Sequence, residues 1–233
     1  MKPMESEFHS RRRFMRAAAA AAALVPGGIG WLASDVLAQG KAVDEGIRRF
    51  RGEVLVNGQP VKRGSIVKPG DTVTTGPNSY ATFVVGQDAF LVRGNTKLEL
   101  GGLAGIVNLA RVITGKLLSV YAKGTPREIQ GVTATIGIRG TGAYIESSAD
   151  RTYFCLCYGE AEIMPIVKPE AKETVRTTHH EQPRFIFGKG ADKVMERAPV
   201  IDHKDAELIL LESLVGRVPP FVEMDEYRSG VRY

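Results

Sequence analysis

The sequence predicts an all-β protein, a solenoid-like or rolled domain of short strands with one amphipathic helix near its C-terminal end. Three observations carry this. Gly, Pro, Asn and Asp punctuate residues 50–165 at short intervals, with β-branched residues between them. Asn57-Gly58 follows a β-rich run, the strongest short hairpin signal. Helical spacing of apolar residues occurs at residues 203–215, between an acidic cap candidate and a glycine.

The first 38 residues read as a targeting segment. Arg11, Arg12, Arg13 and Arg16 form a basic cluster, residues 17–34 are uncharged and alanine-rich, and Val36-Leu37-Ala38 is a small-residue cleavage site. The segment around Arg11, Arg12 and Phe14 resembles the twin-arginine signal read by the Tat export machinery. An apolar stretch of about 18 residues is just long enough to span a bilayer as an uncut anchor. Pro26, Gly27, Gly28 and Gly30 interrupt it, however. Cleavage after Ala38 is therefore expected, giving a periplasmic protein with no stable membrane insertion. The cut removes five of the 31 Lys/Arg and three of the 26 Asp/Glu, leaving a net charge of +3. Without a basic block, that balance gives no electrostatic case for nucleic acid.

Residues 39–49 are polar and read as a tether. Strands are then expected at residues 52–56, 65–67, 71–75, 80–85, 89–92 and 97–100, each ending at a turn signal. Residues 103–111 suit a short helix or another strand, and residues 168–174 read as a charged loop. Residues 50–165 form the predicted β-domain, 166–200 a β-extension and loop, and 201–233 the C-terminal helix and tail. Asp202 is the expected cap of a helix over 203–215, with Gly216 just past its end. Ala206, Ile209, Leu210, Ser213 and Leu214 share one face of that helix, which should lie on the sheet.

Taken in order, these strands carry a set of short motifs. They are Gly52-Glu53-Val54, Pro69-Gly70-Asp71, Thr75-Gly76, residues 95–100, Thr114-Gly115-Lys116-Leu117, residues 135–141 (TIGIRGT) and residues 158–163 (YGEAEI). Their order resembles the FecR domain, named for periplasmic regulators of iron-siderophore uptake. The resemblance covers residues 50–165 and implies a compact β-domain outside the cytoplasm that binds, assembles or senses, with a link to iron or metal response. Sensor members of that family carry a cytoplasmic anti-sigma segment, a transmembrane helix and a later signalling subdomain. Here a Tat-like signal stands in place of the first two, and residues 166–233 do not match the third. An export-side module with an envelope protein or polymer as partner is the resulting expectation.

No catalytic constellation is present in the sequence: no nucleophile elbow, phosphate loop, dinucleotide fingerprint or His-Glu-x-x-His. The expectation is a non-enzyme with no obligatory cofactor. In TIGIRGT, Gly137 and Gly140 suit tight turns or close backbone approach. Arg139 beside them, followed by Thr141, is expected to hydrogen-bond to loop carbonyls or a carboxylate, the alternative being an anion-binding arginine. The chain has two cysteines, Cys155 and Cys157. On a strand they project from one face with Cα atoms about 6.6 Å apart, at the wide end of the disulfide range of about 4.4–6.8 Å. Shared ligation of a metal suits that geometry better than cross-linking. If residues 175–187 pair near 153–163, one of His179 or His180 would meet the sulfurs, and His203 is a further partner. Such a set suits zinc or copper(I). The alternatives are a disulfide or redox pair, and two inert core residues. In that last case Tyr153, Cys155 and Cys157 form one face of a buried strand and Phe154, Leu156 and Tyr158 the other.

Overall fold

The computed structural model describes residues 45–103 and 105–223, apart from the side chain of Thr141. The export signal, its cleavage site, most of the tether and the end of the tail lie outside those residues.

Alternation and turn chemistry build one rolled sheet. In chain order its strands are β1 (Gly46–Arg51), β2 (Val54–Val56), β3 (Gln59–Pro60), β4 (Thr72–Thr75), β5 (Tyr80–Val85), β6 (Asp88–Val92) and β7 (Lys97–Leu103). There follow β8 (Ile106–Val120), β9 (Arg127–Gln130), β10 (Ala134–Ser148), β11 (Arg151–Pro165), β12 (Glu173–Thr177), β13 (Arg184–Phe187) and β14 (Met195–Arg197). One helix, α1 (Asp205–Leu214), comes after them. The all-β expectation holds, as a barrel-like core with extra strands and a single C-terminal helix. No helix among the described residues is long and apolar enough to cross a membrane.

Asn57 and Gly58 both take positive φ (52° and 78°), as the tight turn joining β2 to β3 requires. Three strands of 15 residues do most of the joining. The first half of β8 pairs with β7, and its second half with β6 and β10. β11 pairs with β10 along its length and carries β12 and β13 on its other edge. The predicted extension after residue 165 is thus part of the same sheet.

Several expectations need correction. Residues 46–49 are not tether: they belong to β1, which pairs with β5, and Ile47 is completely buried. Residues 65–67 form no strand, although Ser65 O accepts the Ile47 N–H. Residues 106–111 are strand, because β7 lies alongside to pair with them. The charged loop is cut short by a 3-10 turn (Pro169–Ala171) and the start of β12. The helix starts at Asp205 rather than 203, capped by Lys204, because the Asp202 carboxylate is taken by Lys116. Glu207 accepts the Lys204 N–H at 3.0 Å, closing the first turn.

The β10–β11 ladder contains two opposed irregularities. On β10, pairing jumps from Arg139↔Glu160 to Gly142↔Tyr158, an extra residue at Gly140–Thr141. On β11 it jumps from Ala143↔Leu156 to Gly142↔Tyr158, which leaves Cys157 as the extra residue. Gly140 has φ 59°, and a Cβ there would come within 2.8 Å of the Lys123 side chain and 2.9 Å of its Cα. The glycine is therefore required on both counts. Gly137 is different: nothing lies within 4 Å of where its Cβ would be, so no close approach explains it. Arg139 is exposed and its side chain makes no hydrogen bond among the described residues, so its expected anchoring role is not found there.

The bulge at Cys157 changes which way β11 faces. Before it, Phe154 and Leu156 enter the core inside the roll; after it, Ala161 and Ile163 do. Tyr153, Cys155, Cys157 and Tyr158 all face a second core on the outside of the sheet. Tyr158 was expected beside Phe154 and Leu156, and the extra residue moves it to the cysteine face. α1 closes this second core with Leu208, Ile209, Leu211 and Leu214. Of the predicted helix face, Ala206 and Ser213 are only half-buried, whereas Leu208 and Leu211 are fully covered.

Candidate metal centre

Three segments deliver the candidate ligands. β11 supplies Cys155 and Cys157, both completely buried. The turn after β12 supplies His180, whose N–H donates to Cys157 O at 3.0 Å. Its φ of 64° is unusual for a residue with a side chain. The Glu181 carboxylate steadies that turn by accepting the N–H groups of Thr178 and His179. The loop before α1 supplies His203, directly after Asp202, which also has a positive φ of 55°. Tyr153 fixes that loop by donating its hydroxyl to Pro199 O and accepting the Ile201 N–H. Tyr144 stacks on the His203 ring with centroids 4.5 Å apart.

The donor atoms of Cys155, Cys157, His180 and His203 all lie within 4.8 Å of one another. His180 Nδ1 is 3.5 Å from Cys155 Sγ and 3.0 Å from His203 Nε2. A tetrahedral ion with bonds of about 2.0–2.1 Å to nitrogen and about 2.3 Å to sulfur needs N···N edges of ~3.3 Å and N···S edges of ~3.6 Å. The two distances come within a few tenths of an ångström of those edges.

Outer partners set the imidazole tautomers. His180 Nε2 lies 3.2 Å from Asp205 Oδ1, and a carboxylate only accepts, so this nitrogen carries the proton. His203 Nδ1 lies 2.6 Å from Ile201 O and donates to it. In the neutral rings His180 Nδ1 and His203 Nε2 are then both lone-pair atoms, pointed at each other across 3.0 Å. Two lone pairs at that distance need a cation between them, a proton or a metal ion.

Charge follows the same logic. Burial pushes the Cys155 thiol up, but hydrogen bonds from Cys157, His180 and His203 outweigh it and hold Cys155 well below the ordinary thiol range. Burial and the neighbouring Cys155 thiolate push Cys157 well above it. Burial opposes the charged form of His180, yet Asp205 and Cys155 carry it up to about 9. Without a metal, the cavity is thus a thiolate–imidazolium pair backed by a carboxylate. Burial pushes the Asp205 carboxyl up, and the bonds from His179 and His180 bring it below its usual range.

His179 does not reach the sulfurs. It donates to Asp205 Oδ1 at 2.9 Å and stacks against Phe221. His179, His180 and Asp205 form a cluster of their own, but the carboxylate already accepts from both rings. Their fitting role is to orient and polarise His180, the usual outer support of a metal-bound imidazole. Of the residues singled out from sequence, the structure therefore gathers Cys155, Cys157 and His180 with His203, the further partner, and leaves His179 outside that set. Asp205 was missed altogether, since a helix-start acid is common without any such role. Both cysteines are free thiols rather than a disulfide. Cys155, His180 and Asp205 also stand as nucleophile, base and orienting acid would. Beneath α1, however, the Cys155 sulfur offers no face to a substrate.

No family model matches this chain, and no curated protein does. Two solved structures similar to part of it are both described as a "putative anti-sigma factor" from Parabacteroides distasonis, at 7% and 8% identity with a TM-score of 0.45 in each case. Each match covers 54% of this chain and 59% of that one. A likeness at that level says nothing about what this chain binds.

Proposed function

We propose that this chain is an exported, non-enzymatic binding module of the cell envelope that holds one thiophilic metal ion, zinc or copper(I), on Cys155, Cys157, His180 and His203. The observation that carries the reading is the pair of imidazole nitrogens facing each other at 3.0 Å, with the Cys155 sulfur 3.5 Å from one of them and Cys157 in the same cluster. Four protein donors complete a tetrahedral shell and leave no position for water, the pattern of a structural rather than a catalytic ion. Asp205 and the Ile201 carbonyl supply the outer hydrogen bonds that such histidines ordinarily have. Protein purified without chelator should carry about one equivalent of metal by elemental analysis, lost on stripping at low pH. His180→Ala should lose most of it and His179→Ala should keep it. Metal-free protein whose two thiols react only after unfolding would end this reading.

The Tat-like signal and the FecR-like order of motifs support a place outside the cytoplasm and a sensing or assembly role there. Replacing Arg11 and Arg12 together with lysine should abolish periplasmic accumulation in a fractionation assay. Undiminished export of that double variant would remove the Tat route.

A further inference from the structure

The ligands join β11 to the turn after β12 and to the loop before α1. The core inside the roll contains none of them. His203 is the one buried residue between Phe187 and Lys204; the rest of the connection into α1 is held by polar contacts, from Tyr153 to Pro199 O and the Ile201 N–H, from Lys116 to Asp202 and from Arg93 to Asp202 O. Beyond it, α1 and Phe221 cover the outer face of the sheet at Val84, Leu91, Leu118 and Tyr144. The far end of α1 has its own fastening: Glu212 accepts from Tyr158 and Arg217, both at 2.5 Å. At the near end, Arg93 donates to both oxygens of Glu207 at 2.9 Å, and the ligand His203 stands just ahead of the first turn.

We infer that the metal ion is a latch, its presence deciding whether residues 199–223 stay closed over the outer face of the sheet while the inner core folds without it. This rests on the metal-binding reading above. Once the ion leaves, four coordinate bonds are replaced by hydrogen bonds among Cys155, His180, His203 and Asp205, and buried ionic groups held only in that way gain by reaching water. The cheapest way to wet them is to lift the segment that carries His203, because it brings no inner-core residue with it. Lifting it uncovers a contiguous apolar face that includes Tyr144, Leu91 and Leu118. Metal occupancy then regulates the exposure of that face, the behaviour expected of a metal-responsive module.

Hydrogen exchange on the full chain, zinc-loaded, chelator-stripped and reloaded, tests this. Amides of residues 205–214 should exchange about 100-fold or more faster after stripping, with the first turn most affected, and should recover on reloading. Amides of β4 and β7, around the inner core, should change less than about threefold. His203→Ala should show the open pattern with zinc still present. If the metal is demonstrably gone and the helix stays protected, the latch is wrong and the metal site stands. Uniform loss of protection over the whole sheet also overturns the latch, because the ion would then hold the entire fold. Failure to bind zinc or copper(I) at all removes both.

Discussion

Cys155→Ser should lower the midpoint of thermal unfolding by on the order of 10 °C in zinc-containing buffer. An ion present at 1,000 times its dissociation constant stabilises the state that binds it by about 4 kcal/mol. For a chain of this size each kcal/mol moves the midpoint by about 2–4 °C. The serine keeps the shape of the site but not the thiolate that His180 and His203 hold charged. The decisive comparison is with chelator, which should bring the wild type down to the level of the variant and leave the variant where it is. A wild type whose melting does not respond to chelator would show that the four side chains hold only protons.

Asp88→Ala is expected to cost about 3–5 kcal/mol, measured by urea denaturation. Asp88 opens β6, and its carboxylate accepts from Arg127 Nε and from the Ala122 N–H, both at 2.9 Å. The two side chains are 5% and 1% exposed, so the pair is sealed from water. Burial raises the Asp88 pKa more than its bond to Arg127 lowers it. Desolvation thus outweighs attraction, and the pair adds little over an apolar one of the same shape. Removing one partner is another matter, because the guanidinium is left buried without a counter-charge. The double variant Asp88→Leu with Arg127→Met should therefore lose less than the single change. A loss below about 1 kcal/mol for Asp88→Ala would mean that Arg127 re-pairs, with Thr125 O already 3.4 Å from it.

Where turn chemistry decides the structure, the sequence is readable: residues 80–85 are β5 to the residue, and Asn57-Gly58 makes the expected hairpin. Where a distant partner decides it, the sequence misleads. β1 reads as polar tether because its arginines dominate the composition, yet a neighbour at β5 buries Ile47. The helix face misleads for a related reason: Arg93 and Arg217 neutralise Glu207 and Glu212, so α1 sinks until Leu208 and Leu211 are covered too. At the site, strand alternation shows that one histidine of the pair would meet the sulfurs. Which one is fixed by the left-handed turn at His180, which no local pattern encodes. One signal was available and unused: the core residues of β11 shift from even to odd positions between Leu156 and Ala161, which is how a bulge looks in sequence.

That bulge gives the strand something like a reading frame. Deleting Cys157 would close the gap between the pairs Ala143↔Leu156 and Gly142↔Tyr158 and leave the rest of the ladder in step. Tyr158 would stay outside and Ala161 and Ile163 inside, where they are now. The residue that interrupts an otherwise regular strand is thus the one that bears the second sulfur. One residue, gained or lost at that point, separates a ladder with a second sulfur on its outer face from one without it, and the irregularity at Gly140–Thr141 on β10 stays in either case.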